Sequence, residues 1–325
     1  MSAQFMSGDQ AAWFAQTFSS LVENVSLVVL GKQETISLAL TAMLTEGHIL
    51  LEDAPGTGKT SLAKAIAATV SGSHNRIQFT PDLLPSDVTG VTIYDQDTRS
   101  FNFHRGPVFA SIVLADEINR ASPKTQSALL EVMEESKVTV DGVTHSVGRP
   151  FMVIATQNPI EQAGTYKLPE AQLDRFLIKA SLGYPDREAT IEILAQSAQR
   201  DRTTDLKPRV TSEGVVHMAQ MAATVYVDNA VLDYIARICE ATRVQNEVRL
   251  GVSVRGSLAL VRAAKTWAAA NGRHYVIPDD VKFLAIPVLA HRLLLDVEAE
   301  FAGVTNIEVI ERVLESVTPP ARREG

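Results

Sequence analysis

The chain has little cysteine, no long uninterrupted apolar run and no excess of positive charge, and each lack removes a class of protein. Cys239 is its single cysteine, so neither an intramolecular disulfide nor a cysteine-rich metal centre can form. It stands in the periodic run Leu232, Ile235, Ala236, Cys239, the place of a small core residue. No segment offers the roughly 20 consecutive apolar residues of a membrane span. The apolar stretch at 11–30 is interrupted by Gln16, Thr17, Glu23 and Asn24, and no Lys or Arg precedes Lys32, so the basic start of a secretory signal is missing. A soluble cytoplasmic protein is expected. A formal net charge of −8 argues against a broad electrostatic hold on nucleic acid. Internal repeats and low-complexity tracts are absent as well.

What remains is a globular chain of 325 residues, 46% hydrophobic and 21% charged, long enough for two domains. Ile36, Leu40, Met43 and Leu44 follow the spacing of an amphipathic helix. A short apolar run at 49–51 leads into a Gly-rich loop, and Leu62, Ile66 and Val70 then predict a second helix. Further short apolar runs at 77–79, 111–115, 151–156 and 176–178 alternate with helix or hairpin signals, which predicts a largely parallel sheet covered on both faces. Two inserted hairpins are expected, at about 88–103 and 138–147, the second turning on Asp141-Gly142. After Pro185 the pattern reads helical: 187–197, 212–222, 228–246, 253–271, and short helices after Pro278 and after Pro287. The expected division is a helical segment at 1–24, a sheet domain at 25–185, a helical domain at 186–318 and a polar tail at 319–325.

The Gly-rich loop, Ala54-Pro55-Gly56-Thr57-Gly58-Lys59-Thr60 with Ser61 following, has the chemistry of a phosphate cradle. Backbone N–H groups and the positive end of a helix dipole meet an anion there. Gly56 and Gly58 allow close backbone approach, Lys59 would reach the β- and γ-phosphates, and the Thr60 hydroxyl would hold Mg²⁺. The full motif expects Gly at 53, where this chain has Asp53. A second requirement is a carboxylate pair after a buried strand. Asp116-Glu117 supplies it, Asp116 orienting the metal through its water and Glu117 polarising the attacking water. Asn158, at the tip of a third strand, has two readings: contact with the γ-phosphate and the attacking water, or a turn residue before Pro159. Arg175 and Arg255 are either neutralisers of transition-state charge or members of surface salt bridges.

With these pieces in place, the chain resembles the MoxR family of AAA+ ATPases over nearly all of its length. The resemblance is carried by the cradle, by Phe103-His104-Arg105-Gly106-Pro107-Val108-Phe109, by residues 115–133, 155–159 and 168–177, and by Pro278-Asp279-Asp280-Val281. It implies a five-stranded AAA+ core followed by a smaller helical lid, ATP and Mg²⁺ as ligands, and Asn158 as sensor 1. It also implies Arg175 as an arginine finger acting on the neighbouring subunit, with Arg120 as a rival, and Arg255 as sensor 2. Val29, Leu30 and Gly31 fall where the family lines its adenine pocket. The sequence departs from the family pattern at Lys32, where Gln is usual, and at Val254 and Gly256, which flank Arg255 where Pro and Ala are common. The implied active form is a ring, of six subunits by resemblance, that remodels a client together with a protein bearing a von Willebrand factor A domain. A nucleic acid motor and a nucleotide-dependent scaffold are the competing readings. The hairpin tips, with Asp95, Asp97 and Arg99 on one and Asp141 and Gly142 on the other, lack the basic character that the motor requires.

Overall fold

A computed structural model of the chain describes residues 5–54, 56–158, 165–166, 168–195 and 202–321. Pro55, Pro159, residues 196–201 at the start of the loop expected between the first two helices after Pro185, and the end of the polar tail lie outside the described residues. In chain order the elements begin with helices α1 (Gly8–Ser26) and α2 (Gln33–Leu44), strand β1 (Ile49–Glu52), helix α3 (Lys59–Thr69), strand β2 (His74–Gln78) and helix α4 (Pro85–Thr89). Strands β3 (Gly90–Asp95), β4 (Ser100–Arg105) and β5 (Ile112–Asp116), helix α5 (Pro123–Glu135), strands β6 (Lys137–Val140), β7 (Val143–Ser146) and β8 (Met152–Gln157), helix α6 (Glu170–Leu173) and strand β9 (Ile178–Ala180) follow. Beyond these come α7 (Arg187–Ala195), α8 (Ser212–Ala223), α9 (Asn229–Arg243), β10 (Val248–Leu250), α10 (Val254–Ala270), α11 (Pro278–Leu289), β11 (Leu294–Leu295), α12 (Val297–Phe301) and α13 (Asn306–Ser316).

The apolar runs become a five-stranded sheet in the order β2-β5-β8-β1-β9. The pairs β2–β5, β5–β8 and β8–β1 are parallel. Central strands are buried on both faces and so read as continuous apolar runs; every residue of β5 is buried. Strand β2 begins earlier than its apolar run predicts, at His74, because an edge strand is half-exposed and carries His74, Asn75 and Arg76 where a central strand would carry apolar residues. The first insert differs likewise: Val88 lies in α4, which Pro85 opens at its first turn while the Asp87 carboxylate accepts the Leu84 N–H at 2.9 Å. Its strands then pair in register from Gly90 with Arg105 to Asp95 with Ser100. In the second hairpin Asp141 and Gly142 both have positive φ, 51° and 77°, as a two-residue turn matched to strand twist demands.

The chain forms two compact units: one made of Met1–Ser19, Pro169–Lys179 and His217–Gly325, the other of Ser20–Leu168 and Ala180–Val216. This grouping differs from a single cut near Pro185. Residues 202–216 stay with the sheet because Arg209 N–H donates to the Thr69 carbonyl at 2.8 Å. In addition, buried Asn24 donates to Thr69 Oγ1 at 2.8 Å and accepts from Arg209 Nε at 3.2 Å. The other unit is mainly helical, but a short antiparallel ladder joins β10 to β11 where only helices are expected; strands of two and three residues leave too little periodicity to read. Pro287 starts no helix of its own. It sits inside α11, two residues before its end, where its missing N–H deprives a single carbonyl, that of Phe283 one turn earlier, and a 3₁₀ turn follows at Ala290–Arg292. No helix among the described residues is long and apolar enough to cross a membrane.

Candidate functional site

Register brings four strand ends together at the carboxyl edge of the sheet, where ligands of open α/β folds bind. Gln78 on β2 is level with Asp116 on β5, Ala115 with Ala155 on β8, and Gln157 at the end of β8 with Glu52 on β1. The cradle follows β1 directly. Gly56 and Gly58 have φ of 84° and 94°, a region that side-chain-bearing residues seldom adopt. Gly58 precedes α3, which has no side-chain cap, so the helix presents backbone donors at its positive end. Lys59 opens the helix and lies back across the loop, its Nζ donating to the carbonyls of Ala54 at 2.9 Å and Asp53 at 3.2 Å. Thr57 Oγ1 also donates to Ala54, at 3.4 Å.

These residues line one cleft of about 420 Å³ that holds Gly56, Thr57, Gly58, Lys59, Thr60, Asp116, Glu117 and Asn158 together with Asp53, Arg76, Thr156 and Gln157. A second pocket of about 320 Å³ shares Gly56, Thr57, Gly58 and Thr60 with it and extends to Val28, Val29, Leu30, Lys32, Ser61, Pro185, Ile193 and Thr203. The first is polar and suits phosphates; the second has a mixed lining, in which Val28, Val29, Leu30, Pro185 and Ile193 offer an apolar side that suits a base while Lys32, Lys64 and Arg202 are basic. Gly31 does not line either one: with φ 69° it packs against Ala189 and Asp186. The oxygen donors Thr60 and Asp116 are hard ligands of the type that magnesium takes alongside water and phosphate. No group of three His, Cys, Asp or Glu side chains able to hold a metal occurs among the described residues.

Around the carboxylates lies a network that sequence patterns do not reveal. Asp116 accepts Thr156 Oγ1 at 2.6 Å on Oδ1 and Arg76 Nη2 at 2.6 Å on Oδ2. Arg76 also reaches Gln78 Oε1 at 2.7 Å. Gln78 Nε2 in turn donates to Glu117 Oε2 at 2.9 Å, as does Arg120 Nη1 at the same distance. The turn after Glu117 is held by Gln126, wholly buried, whose Nε2 donates to the carbonyls of Ile118, Ala121 and Tyr166. Arg76 and Gln78 sit two apart on one face of an edge strand, which is the one signal that could have marked them.

Asp53 turns from a motif mismatch into an anchor. It is 4% exposed, and its carboxylate accepts from Ser181 Oγ, Leu182 N–H and Gly183 N–H, each at 2.7 Å. The loop is thereby tied to the chain leaving β9, a restraint that a glycine could not provide.

Arg175 and Arg255 belong to the helical unit. Arg255 lies in the first turn of α10 with its Nε 3.8 Å from Asp174 Oδ2, at more than half exposure. Arg175 follows α6 and is partly buried.

Comparison with known proteins agrees with this geometry. Residues 48–178 match the model of the ATPase family associated with various cellular activities (AAA), and 240–313 match that of the AAA lid domain. The chain is 41% identical to Chaperone MoxR1 of Mycobacterium tuberculosis over 94% of its own length and 82% of that protein. It is 47% identical to YeaC of Bacillus subtilis, over 94% of the chain and 95% of YeaC. It is 32% identical to Protein MoxR of Paracoccus denitrificans, over 89% and 92%. The crystal structure of a presumed ATPase from Cytophaga hutchinsonii superposes with a TM-score of 0.90 at 38% identity, covering 96% of this chain and 98% of that one.

Proposed function

Because the chain belongs to the MoxR family of AAA+ ATPases, we propose that it binds ATP with magnesium in the cleft between the cradle and Asp116-Glu117, hydrolyses it, and uses the cycle to remodel a client protein. The observation that carries this reading is the convergence of Lys59, Thr60, Asp116, Glu117 and Asn158 on one polar cleft adjoining a pocket with an apolar side at Val28, Val29, Leu30, Pro185 and Ile193. Lys59 and the first-turn amides of α3 bind and orient the phosphates. Magnesium, held by Thr60 and through water by Asp116, would neutralise charge on the β- and γ-phosphates. Glu117 takes the proton of the attacking water as the water oxygen bonds to the γ-phosphorus and the bond to the β,γ-bridging oxygen breaks, releasing ADP and phosphate, and Asn158 aligns that water. Val29 and Leu30 contribute to the base pocket.

Arg120 donates to Glu117 of its own chain, which favours Arg175 as the arginine that neutralises transition-state charge in a neighbouring subunit. The active form is then a ring, six-membered by family resemblance, and Arg255 acts as the lid's sensor. The partner bearing a von Willebrand factor A domain belongs to the same reading. A nucleic acid motor is disfavoured by the acidic tip of the first hairpin, where Asp95 Oδ1 is engaged by the backbone N–H groups of Asp97 and Thr98.

Phosphate release measured against protein concentration tests the proposal. Turnover per subunit is expected to rise with concentration, Arg175→Ala to lose that rise, and Glu117→Gln to lose turnover by about a hundredfold or more. Wild type and Glu117→Gln sharing one near-zero rate would instead support a nucleotide-dependent scaffold.

A further inference from the structure

Glu117 has a left-handed backbone, φ 57° and ψ 49°, in the residue proposed to act on the attacking water. For a side chain with a Cβ this conformation costs about 1–2 kcal/mol and persists only where the surroundings over-determine it. Here they do. The Glu117 N–H donates to Thr156 Oγ1 at 2.9 Å, its carbonyl accepts the Arg120 N–H at 2.9 Å, and Gln78 and Arg120 hold one carboxylate oxygen. An amide can only donate, so the Thr156 hydroxyl must accept from it, and its single proton is left for Asp116 Oδ1 at 2.6 Å. Thr156 is 1% exposed, so both bonds are shielded from bulk water. One hydroxyl therefore clamps the backbone of Glu117 and the carboxylate of Asp116 at once, and does so from β8, the strand whose end carries Asn158.

We infer that Thr156 is the positioning residue of the hydrolytic step: its hydroxyl, with its hydrogen bonds made to Glu117 and Asp116, locks the Glu117 backbone in the left-handed state that aims the carboxylate and sets the rotation of Asp116. The inference rests on the proposed ATPase reading. Without the hydroxyl, Glu117 relaxes toward an ordinary backbone conformation and its carboxylate leaves the line of attack, while the cradle that binds ATP is untouched.

The test uses the full chain as wild type, Thr156→Val, Thr156→Ser, Glu117→Gln and the Thr156→Val/Glu117→Gln double variant. Single-turnover ATP hydrolysis, binding of a fluorescent ATP analogue with magnesium, and the thermal midpoint are measured. Thr156→Val, which keeps the shape and removes the hydroxyl, is expected to slow hydrolysis by about ten- to a hundredfold, with analogue affinity near that of wild type and a thermal midpoint lowered by only a few degrees, since one buried N–H and one carboxylate oxygen each lose a partner. Thr156→Ser restores most of the rate, and the double variant is no slower than Glu117→Gln alone. A wild-type rate in Thr156→Val overturns the inference. So does a double variant slowed by the full Thr156→Val factor, or a Thr156→Val chain that loses binding and stability together. If wild type hydrolyses no faster than Glu117→Gln, it is the ATPase reading that fails; hydrolysis by wild type with Thr156→Val unaffected removes this inference alone.

Discussion

Each of the two units is organised around a buried charge, and they solve the same problem with opposite signs. In the sheet unit the anion Asp53 is surrounded by neutral donors, two backbone amides and the Ser181 hydroxyl. In the helical unit the cation Arg292, with a side chain 3% exposed, is surrounded by acceptors. It donates to Asp174 Oδ1 at 2.7 Å and to the carbonyls of Phe176, Asp174, Leu177 and Val288. Burial pulls the Arg292 guanidinium below its ordinary pKa, and Asp174 restores part of the loss. Dipoles suffice for a carboxylate that sits beside a loop built of amides, whereas the guanidinium also needs a counter-charge. Segments 174–177 and 181–183 flank β9, so the two charges fix the chain on either side of one short strand. The acceptors held by Arg292 include the backbone on both sides of Arg175.

Removing Arg292 is expected to have the largest effect. Arg292→Leu strands Asp174 and several carbonyls, and loss of one member of a buried pair costs about 3–5 kcal/mol. Urea denaturation reads this directly; a loss under about 1 kcal/mol would mean that the cation is dispensable and the parallel with Asp53 false. Arg292→Lys should recover little, since an ammonium lacks the planar fork that spans several acceptors.

His48 sharpens the contrast, as a buried titratable group that stays uncharged. Its Nδ1 accepts the Val153 N–H at 3.0 Å, so Nε2 carries the proton that faces the Met133 carbonyl, also at 3.0 Å. Burial lowers its pKa to about 4, against which the Met133 bond pulls weakly upward. Above pH about 7.5 the ring is neutral in both folded and unfolded chains and contributes no pH dependence. As pH falls from there toward 4 the unfolded chain takes up a proton that the folded one refuses. Stability therefore drops by about 2 kcal/mol at pH 5 and levels off near 3 kcal/mol below pH 4. His48→Gln, able to accept and donate at the same two partners, should lack that slope; equal slopes in both chains would mean that His48 does not titrate this way.

Asp53 comes next, and it tests what the motif means. Asp53→Gly restores the glycine that the full cradle pattern expects, yet it is expected to weaken binding of the ATP analogue by about tenfold and to cost about 1–3 kcal/mol. Three donors lose their acceptor and the cradle loses its tie to 181–183. Wild-type affinity in Asp53→Gly would make the anchor irrelevant to the site.

How much of this was legible depends on the distance between partners. Runs 49–51, 111–115 and 151–156 announced the central strands because burial on both faces leaves only apolar residues there. Lys59, Thr60 and Asp116-Glu117 stood out because phosphate and metal chemistry dictates their type and local spacing. Asp53 could only look wrong, since its three donors lie 128 to 130 residues further along. Arg76 and Thr156 each meet Asp116 across 40 residues, and no periodicity encodes a side-chain bond across strands. Pro287 is no helix start for a local reason: a single proline late in α11 removes one bond to the preceding turn, and the rest of the helix continues through it.

The smallest expected effect separates the two arginines that share Asp174. Arg255 approaches Oδ2 only to 3.8 Å and is 57% exposed, so solvent screens the pair, and Arg255→Gln is expected to change stability by less than about 0.5 kcal/mol. On the proposed sensor reading, the same variant should slow ATP hydrolysis while leaving the urea midpoint where wild type has it. If Arg255→Gln instead destabilises the chain as Arg292→Leu does, Asp174 is held by both cations equally. The helical unit then has a two-arginine core, and Arg255 is not available as a sensor.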